Sequence, residues 1–315
     1  MKHSNHISRQ LQKHRKAYRI LGKITSIGLL LTGLYLYGVL TRHTGYLAFG
    51  SGTPQLKTSA VVHYIDVGQA DAACIVTPDG HTVLIDAGSN ESQEHLISYL
   101  AKYRIREIDY AVFTHPHEDH IGGADRVFDF CRVGHVILPD AAASTATYDM
   151  LLTSLQNEGC TVEYALPGNS YPLGDASLTI LGPACDYEDN GNNASVILRF
   201  DYGDTSFLFT GDAEASAEAA VMLENKEALN ADVLKVAHHG SATSSTDAFL
   251  SAVTPTLAVI SCGPYNEFGH PHSSVLDRLS SHTPHIFRTD ESGSIRVYTD
   301  GTALLVQSDR MPQQE

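Results

Sequence analysis

Three histidines and two acids fall within six positions, His115-Pro116-His117-Glu118-Asp119-His120. An apolar run, Tyr110 to Phe113, leads in, and Gly122-Gly123 leads out. Titratable groups at such density are costly to bury unless they are paired or bind a cation. A strand that stops at a proline, followed by a glycine pair that opens a helix, predicts a short, sharply bent loop. Imidazole plus carboxylate is the donor set of zinc and of neighbouring metals such as manganese and iron. His115 and His117 can share one side of an extended segment. Asp119 and His120 then serve an adjacent position. Two donor pairs imply two divalent cations, about 3.5–4 Å apart in sites of this kind. The competing reading is a histidine-rich surface loop in a chain that has 17 His; the spacing and the flanking elements argue against it.

Charge is distributed unevenly. The chain carries a net −15, yet no Asp or Glu precedes Asp66, and 8 of its 21 Lys and Arg lie in the first 42 residues. The remainder holds 13 basic against 36 acidic residues, a net of −23. Such a surface repels polyanions and makes a poor general nucleic-acid binder. Bound cations would reverse the sign locally, so a phosphate could still enter the site. None of the five Cys has CxxC spacing, which argues against a structural zinc site. Cys74 and Cys262 lie in apolar runs and read as core; Cys160 and Cys185 are a candidate disulfide pair.

Residues 1–23 form a basic tail, and residues 24–41 are 18 positions without a charge. That length is near the lower limit for a membrane-spanning helix. The preceding Lys and Arg place the tail in the cytoplasm and everything downstream outside. A cleaved signal peptide is the alternative, though no AxA site follows. Residues 42–57 read as a linker and 58–315 as the folded domain. Strands are expected at Val61 to Val67, Ala72 to Thr77, His81 to Ala87 and Tyr110 to Thr114, with helices at Glu91 to Tyr103 and Gly122 to Phe130. The second half repeats the alternation, with strands at Ser195 to Tyr202, Ser206 to Thr210 and Val233 to Ala237, and a helix at Ala213 to Leu229. Two strand sets interleaved with helices suit two sheets face to face, with helices outside.

Two further strands end in candidate donors, Phe209-Thr210-Gly211-Asp212 and Leu234-Lys235-Val236-Ala237-His238-His239-Gly240-Ser241. Together with the histidine-rich stretch they resemble the metallo-β-lactamase superfamily of hydrolases. The resemblance implies a four-layer αββα sandwich with metals at one edge. It implies that Asp212 bridges two metals and that His239 completes the ligands of the second metal, with His238 beside it or on the substrate. It implies that Asp86 supports the metal loop from behind. Asp71 is placed to reach the site from its own loop. A histidine usual in the superfamily is replaced here by the segment Asn192-Asn193-Ala194-Ser195. The amide of Asn193 is a weaker ligand, which leaves one metal loosely held and admits manganese as well as zinc.

Asp66-Val67-Gly68-Gln69-Ala70-Asp71, Leu84-Ile85-Asp86-Ala87-Gly88, Gly269-His270-Pro271 and Arg288-Thr289-Asp290 occur in order around these motifs. As a set, over about residues 60–308, they resemble the hydrolase domain of the ComEC competence proteins and its stand-alone relatives; Ala70 stands where glycine is usual. The implied activity is that of a membrane-anchored phosphodiesterase outside the cytoplasm. Its substrate would be DNA or a cell-envelope phosphodiester such as teichoic-acid phosphorylcholine. On this reading Asp119 and Asp212 orient the attacking water, and His270 protonates the leaving group or holds a loop. Ser241 and Arg288 hold the phosphate, a salt bridge being the competing use of Arg288. A lactonase of the same fold and a non-catalytic metal-binding ectodomain are the alternatives.

Overall fold

The computed structural model describes residues 45–49, 58–184 and 191–310. The tail, the apolar segment 24–41, most of the linker and Cys185 lie outside the described residues, among which no helix is long and apolar enough to cross a membrane. Cys160 is a free thiol. Part of the expected linker is instead a strand, β1 (Gly45–Phe49).

The chain continues with β2 (Ala60–Tyr64), β3 (Ala73–Val76), β4 (Thr82–Ile85), α1 (Gln93–Lys102), β5 (Glu107–Val112), α2 (Glu118–Ile121), α3 (Ala124–Phe130), β6 (Arg132–Leu138), α4 (Ala146–Glu158) and β7 (Thr161–Tyr164). The second half holds β8 (Ser170–Leu173), β9 (Ala176–Gly182), β10 (Ile197–Tyr202), β11 (Thr205–Phe209), α5 (Ala215–Asn225), β12 (Val233–Lys235), α6 (Asp247–Val253), β13 (Leu257–Ile260), α7 (Ser273–His282), β14 (His285–Arg288), α8 (Thr289–Ser292), β15 (Ile295–Thr299) and β16 (Leu304–Ser308). One sheet runs β1-β16-β15-β2-β3-β4-β5-β6-β7 and the other β14-β13-β12-β11-β10-β9-β8.

Side-chain alternation builds the layers. Successive strand residues face opposite sides, so Val62, Tyr64, Ile75 and Val83 of the first sheet meet Leu198, Phe200, Phe207 and Phe209 of the second. Each such side chain contributes roughly 1.5–3 kcal/mol when fully buried. The alternate residues point outward. Cys74, Leu84 and Ala111 pack with Leu96 and Leu100 of α1 and Val127 of α3. Leu208, Leu234 and Ala258 pack with Ala217 of α5, Leu250 of α6 and Leu279 of α7. Three apolar cores therefore separate four layers, the expected αββα sandwich.

Each sheet is antiparallel on one side and parallel on the other. β4, β5 and β6 are parallel neighbours, as are β11, β12, β13 and β14. Parallel strands deliver their carboxyl ends to one edge, where loops carry function. The expected helix at Gly122 begins earlier and is split: Asp119 and His120 stand on the first turn of α2 rather than on a loop. The glycine pair instead permits close approach. A Cβ on Gly123 would lie 2.2 Å from the Ala87 carbonyl oxygen, and one on Gly122 2.3 Å from the Asn90 nitrogen. β8 is not expected from a segment containing Pro172. A proline is tolerated there because β8 borders its sheet.

Candidate metal centre

The carboxyl ends of β4, β5, β11 and β12 converge on one cluster. Donor atoms of Asp119, His120, Asp212 and His239 lie within 4.8 Å of one another. Asp212 follows β11, and its carboxylate is 3.3 Å from His120 Nε2, 3.7 Å from His239 Nε2 and 3.9 Å from His115 Nε2. Asp119 Oδ2 lies 3.1 Å from His239 Nε2 and 3.8 Å from His120 Nε2. His238 also reaches Asp212, at 3.6 Å. His117 is exposed, with its ring 4.6 Å from that of His115.

The inner nitrogens of two of these rings and one oxygen of Asp212 are left without hydrogen bonds. His115 Nε2, His120 Nε2 and Asp212 Oδ1 are buried and make none. Buried nitrogen and oxygen atoms without partners are rare in folded proteins, because each costs about 1–3 kcal/mol. Their outer faces are, by contrast, well held. Asp86 Oδ2 accepts from His120 Nδ1 at 2.8 Å and from Thr114 Oγ1 at 2.8 Å, while Asp86 Oδ1 accepts from Thr114 N at 2.7 Å. His239 Nδ1 lies 3.0 Å from the Ser261 carbonyl oxygen, and Ser195 Oγ accepts from Asp212 N at 2.9 Å. A histidine whose Nδ1 donates to a carboxylate or carbonyl presents its Nε2 lone pair, the arrangement a metal ligand needs. The donor set therefore fits divalent cations.

Electrostatics agree. Burial opposes charge on His120, yet Asp212, Asp86 and Asp119 outweigh it and raise its pKa well above the usual value. The same balance, through Asp212 and Asp71, lifts His239 to about 9. Burial also opposes ionisation of Asp212, but His120 and His239 hold its carboxyl well below the usual range. Strain is stored here too: His238 and His239 sit at φ 50° and 53°, the left-handed region that side chains rarely adopt.

Several residues singled out in the sequence have other tasks. Asp71 does not enter the cluster. Its Oδ2 accepts from Lys235 Nζ at 2.7 Å, and its Oδ1 lies 3.5 Å behind His239 Nδ1. In a second group of donors, Asp71 with Asp86 and His120, the Asp71 carboxylate is paired with the Lys235 ammonium. Asn193 is not a ligand in this arrangement, because its amide oxygen accepts from Glu214 N at 3.1 Å. Ser241 is buried, with its hydroxyl 3.0 Å from Thr243 Oγ1, so it closes a turn rather than facing substrate. Arg288 spends its guanidinium on Asp290 and Glu291, the salt-bridge use. His270 stacks on Phe268 and lies beside His238 and His239. Burial, then His239 and His238, push its pKa down to about 4, so it is neutral at pH 7 and a poor proton donor before substrate binds.

Thr114, Ser195, Lys235 and Glu214 belong to the site although the sequence assigns them no role. Thr114, Ser195 and Lys235 lie inside the quoted motifs, but nothing in their spacing marks what they hold. Glu214 lies 3.4 Å from His238 Nδ1. Beside Asp119 a groove of about 990 Å³ opens to solvent; Gln69, Asn90 and Phe268 line it together with the acids Asp66, Glu91 and Glu267.

The sequence pattern of the metallo-beta-lactamase superfamily matches residues 65–263. The chain belongs to that superfamily. Among its relatives, ComE operon protein 3 of Bacillus subtilis is 32% identical over 260 residues, covering 77% of this chain and 33% of that protein. Recombination protein 2 of Haemophilus influenzae is 30% identical over 259 residues, 81% of this chain and 31% of that protein. Competence protein ComA of Neisseria gonorrhoeae is 28% identical, over 76% of this chain and 32% of that protein. The chain thus spans about a third of the length of these relatives. By family and by these relatives, it is a metallo-β-lactamase-fold hydrolase related to competence proteins. Among solved structures, the metallo-beta-lactamase fold protein YhfI of Bacillus subtilis is 14% identical with a TM-score of 0.48, over 75% of this chain and 99% of that one.

Proposed function

We propose that this superfamily member is a phosphodiesterase, acting outside the cytoplasm on the end of an apolar anchor at residues 24–41. The observation that carries the reading is the set of buried, unpartnered His115, His120 and Asp212 donor atoms at the end of the parallel strands. Asp119, His120, Asp212 and His239, with His115 and His117, would hold two divalent cations, zinc or manganese. When bound, such cations lower the pKa of water and neutralise charge on phosphoryl oxygens.

The protein's own groups do the rest. Burial works against ionisation of Asp119, but His120 and His239 hold its carboxyl well below the usual range, so it is ionised at any working pH. It stands at the groove edge, where it can accept a hydrogen bond from the attacking water and fix its direction. Asp212, buried and anchored through Ser195, keeps the opposite side of the site rigid. His270 borders the groove side of the His pair. A phosphate anion nearby would raise its pKa and make it a donor to the leaving oxygen.

The names of the relatives, recombination and competence, make a DNA strand the first substrate to try. The acids of the groove favour a compact ester, such as the phosphorylcholine of teichoic acids, as the second. The purified protein with Mn²⁺ or Zn²⁺ should hydrolyse bis-p-nitrophenyl phosphate, and a panel of single-stranded DNA, p-nitrophenyl phosphorylcholine and a lactone should rank the classes. Turnover no greater than that of an Asp119→Ala control would overturn the proposal. Turnover of the lactone alone would select the carbonyl-ester reading.

A further inference from the structure

The other end of the first sheet carries a second cavity, of about 430 Å³, unrelated to the metal cluster. It forms where β3 ends, β4 and β5 begin, and the α1–β5 turn passes over them. Val61, Val76 and Ile105 give it apolar walls, and Tyr103 and Tyr298 contribute aromatic rings. His63 lies at its floor, with Nδ1 3.0 Å from Tyr99 Oη. The volume is in the range of small-molecule sites, about 300–1,000 Å³.

The rim is basic, in a domain that is otherwise acidic. Arg104 and Arg106 line the opening, and Lys102 lies 5.2 Å from the centre of the Tyr103 ring. Several other described basic side chains sit in ion pairs, such as Arg126 with Glu94 and Arg199 with Asp201. Lys102, Arg104 and Arg106 make no ion pair with any described carboxylate. The one acid of the rim, Glu107, turns to Arg132 at 3.2 Å.

The backbone places these arginines deliberately. α1 ends in a turn where Ile105 N donates to Leu100 O at 2.9 Å and Arg104 N to Ala101 O at 3.0 Å. The residue between those bonds must be left-handed and is usually glycine. Here it is Arg104, at φ 61°. Ile105 is anchored in the core with Leu100, so the turn projects Arg104 into solvent over the cavity. Arg106 is held by stacking, its guanidinium carbon 3.7 Å from the centre of the Phe130 ring.

We propose that this cavity binds a phosphate monoester with a planar aromatic body, of the size of a nucleoside monophosphate. The phosphate sits between Arg104 and Arg106, which suit planar, bidentate recognition. The ring enters between Tyr103, Tyr298 and the apolar walls. The inference is independent of the metal-centre reading, and its test keeps the two apart by working in a chelator.

The experiment titrates the full chain, in EDTA, with adenosine monophosphate, adenosine and inorganic phosphate by calorimetry. Saturable binding of the monophosphate is expected, with each fragment at least about tenfold weaker. Arg104→Gly should weaken monophosphate binding by about tenfold while melting at the same temperature or higher, because glycine relieves the left-handed strain. Arg106→Gln should weaken it similarly. No saturable binding at millimolar monophosphate, or equal binding by the wild type and both variants, would overturn the proposal.

Discussion

Asp86 holds two elements with one carboxylate. It fixes the end of β5 through Thr114 and the first turn of α2 through His120. Its second role is chemical, since accepting from His120 Nδ1 leaves Nε2 as the lone-pair side. An amide cannot do this on both oxygens. In Asp86→Asn, the side-chain NH₂ competes with Thr114 or turns the His120 tautomer, so that Nε2 carries the proton. Metal affinity should fall about 10–100-fold while the fold persists. Manganese or zinc titration, with circular dichroism as the fold control, measures it. Unchanged affinity would remove Asp86 from the support of the site.

Among elements, β2 shows how one strand serves two surfaces. Val62 and Tyr64 enter the inter-sheet core, while His63 faces outward and is nonetheless buried, against Tyr99, Tyr103 and Arg296. Burial, then the Arg296 charge, push its pKa down to about 3 from 6.5. The unfolded chain takes up this proton near pH 6.5 and the folded one only near 3. Stability is therefore full above pH 6.5 and is lost as pH falls towards 3, by roughly 3–5 kcal/mol at about 1.4 kcal/mol per unit. His63→Gln should flatten that part of the pH profile, read from urea midpoints at pH 7, 5 and 4. An equal slope in both proteins would assign the acid sensitivity elsewhere.

The strands that frame the site are legible in the sequence because each is an apolar run closed by a turn, as in the Pro78-Asp79-Gly80 hairpin between β3 and β4. The motif residues are legible because donors cluster at the ends of those runs. Local pattern gives no access to β8, whose proline suits only a border position. Nor does it reveal α2, whose four residues are too few for a helical period. The Lys235–Asp71 pair is hidden by 164 residues of separation. The roles of Ser241, Asn193 and Arg288 depend on which neighbour each hydroxyl, amide or guanidinium finds, which no spacing encodes.

At the scale of the molecule, sandwich topology and charge work against each other. The fold brings carboxyl ends of strands from both sheets to one edge, and so brings their acids with them. The groove at that edge adds Asp66, Glu91 and Glu267, while Arg104 and Arg106 sit at the far end of the first sheet. A polyanion approaching the metal centre therefore meets a repulsive field, which salt screens over about 30 Å at 0.01 M and about 8 Å at 0.15 M. Proteins that bind DNA through basic patches lose affinity as salt rises. The sign should reverse here: kcat/KM on a single-stranded oligonucleotide should rise between about 10 and 150 mM salt by roughly severalfold. Bis-p-nitrophenyl phosphate, with one charge, should respond much less. Steady-state rates at constant metal concentration measure both. A steep fall for the oligonucleotide would mean that the chain reads its substrate through the basic end of the sheet, and that the acids of the groove do not control access.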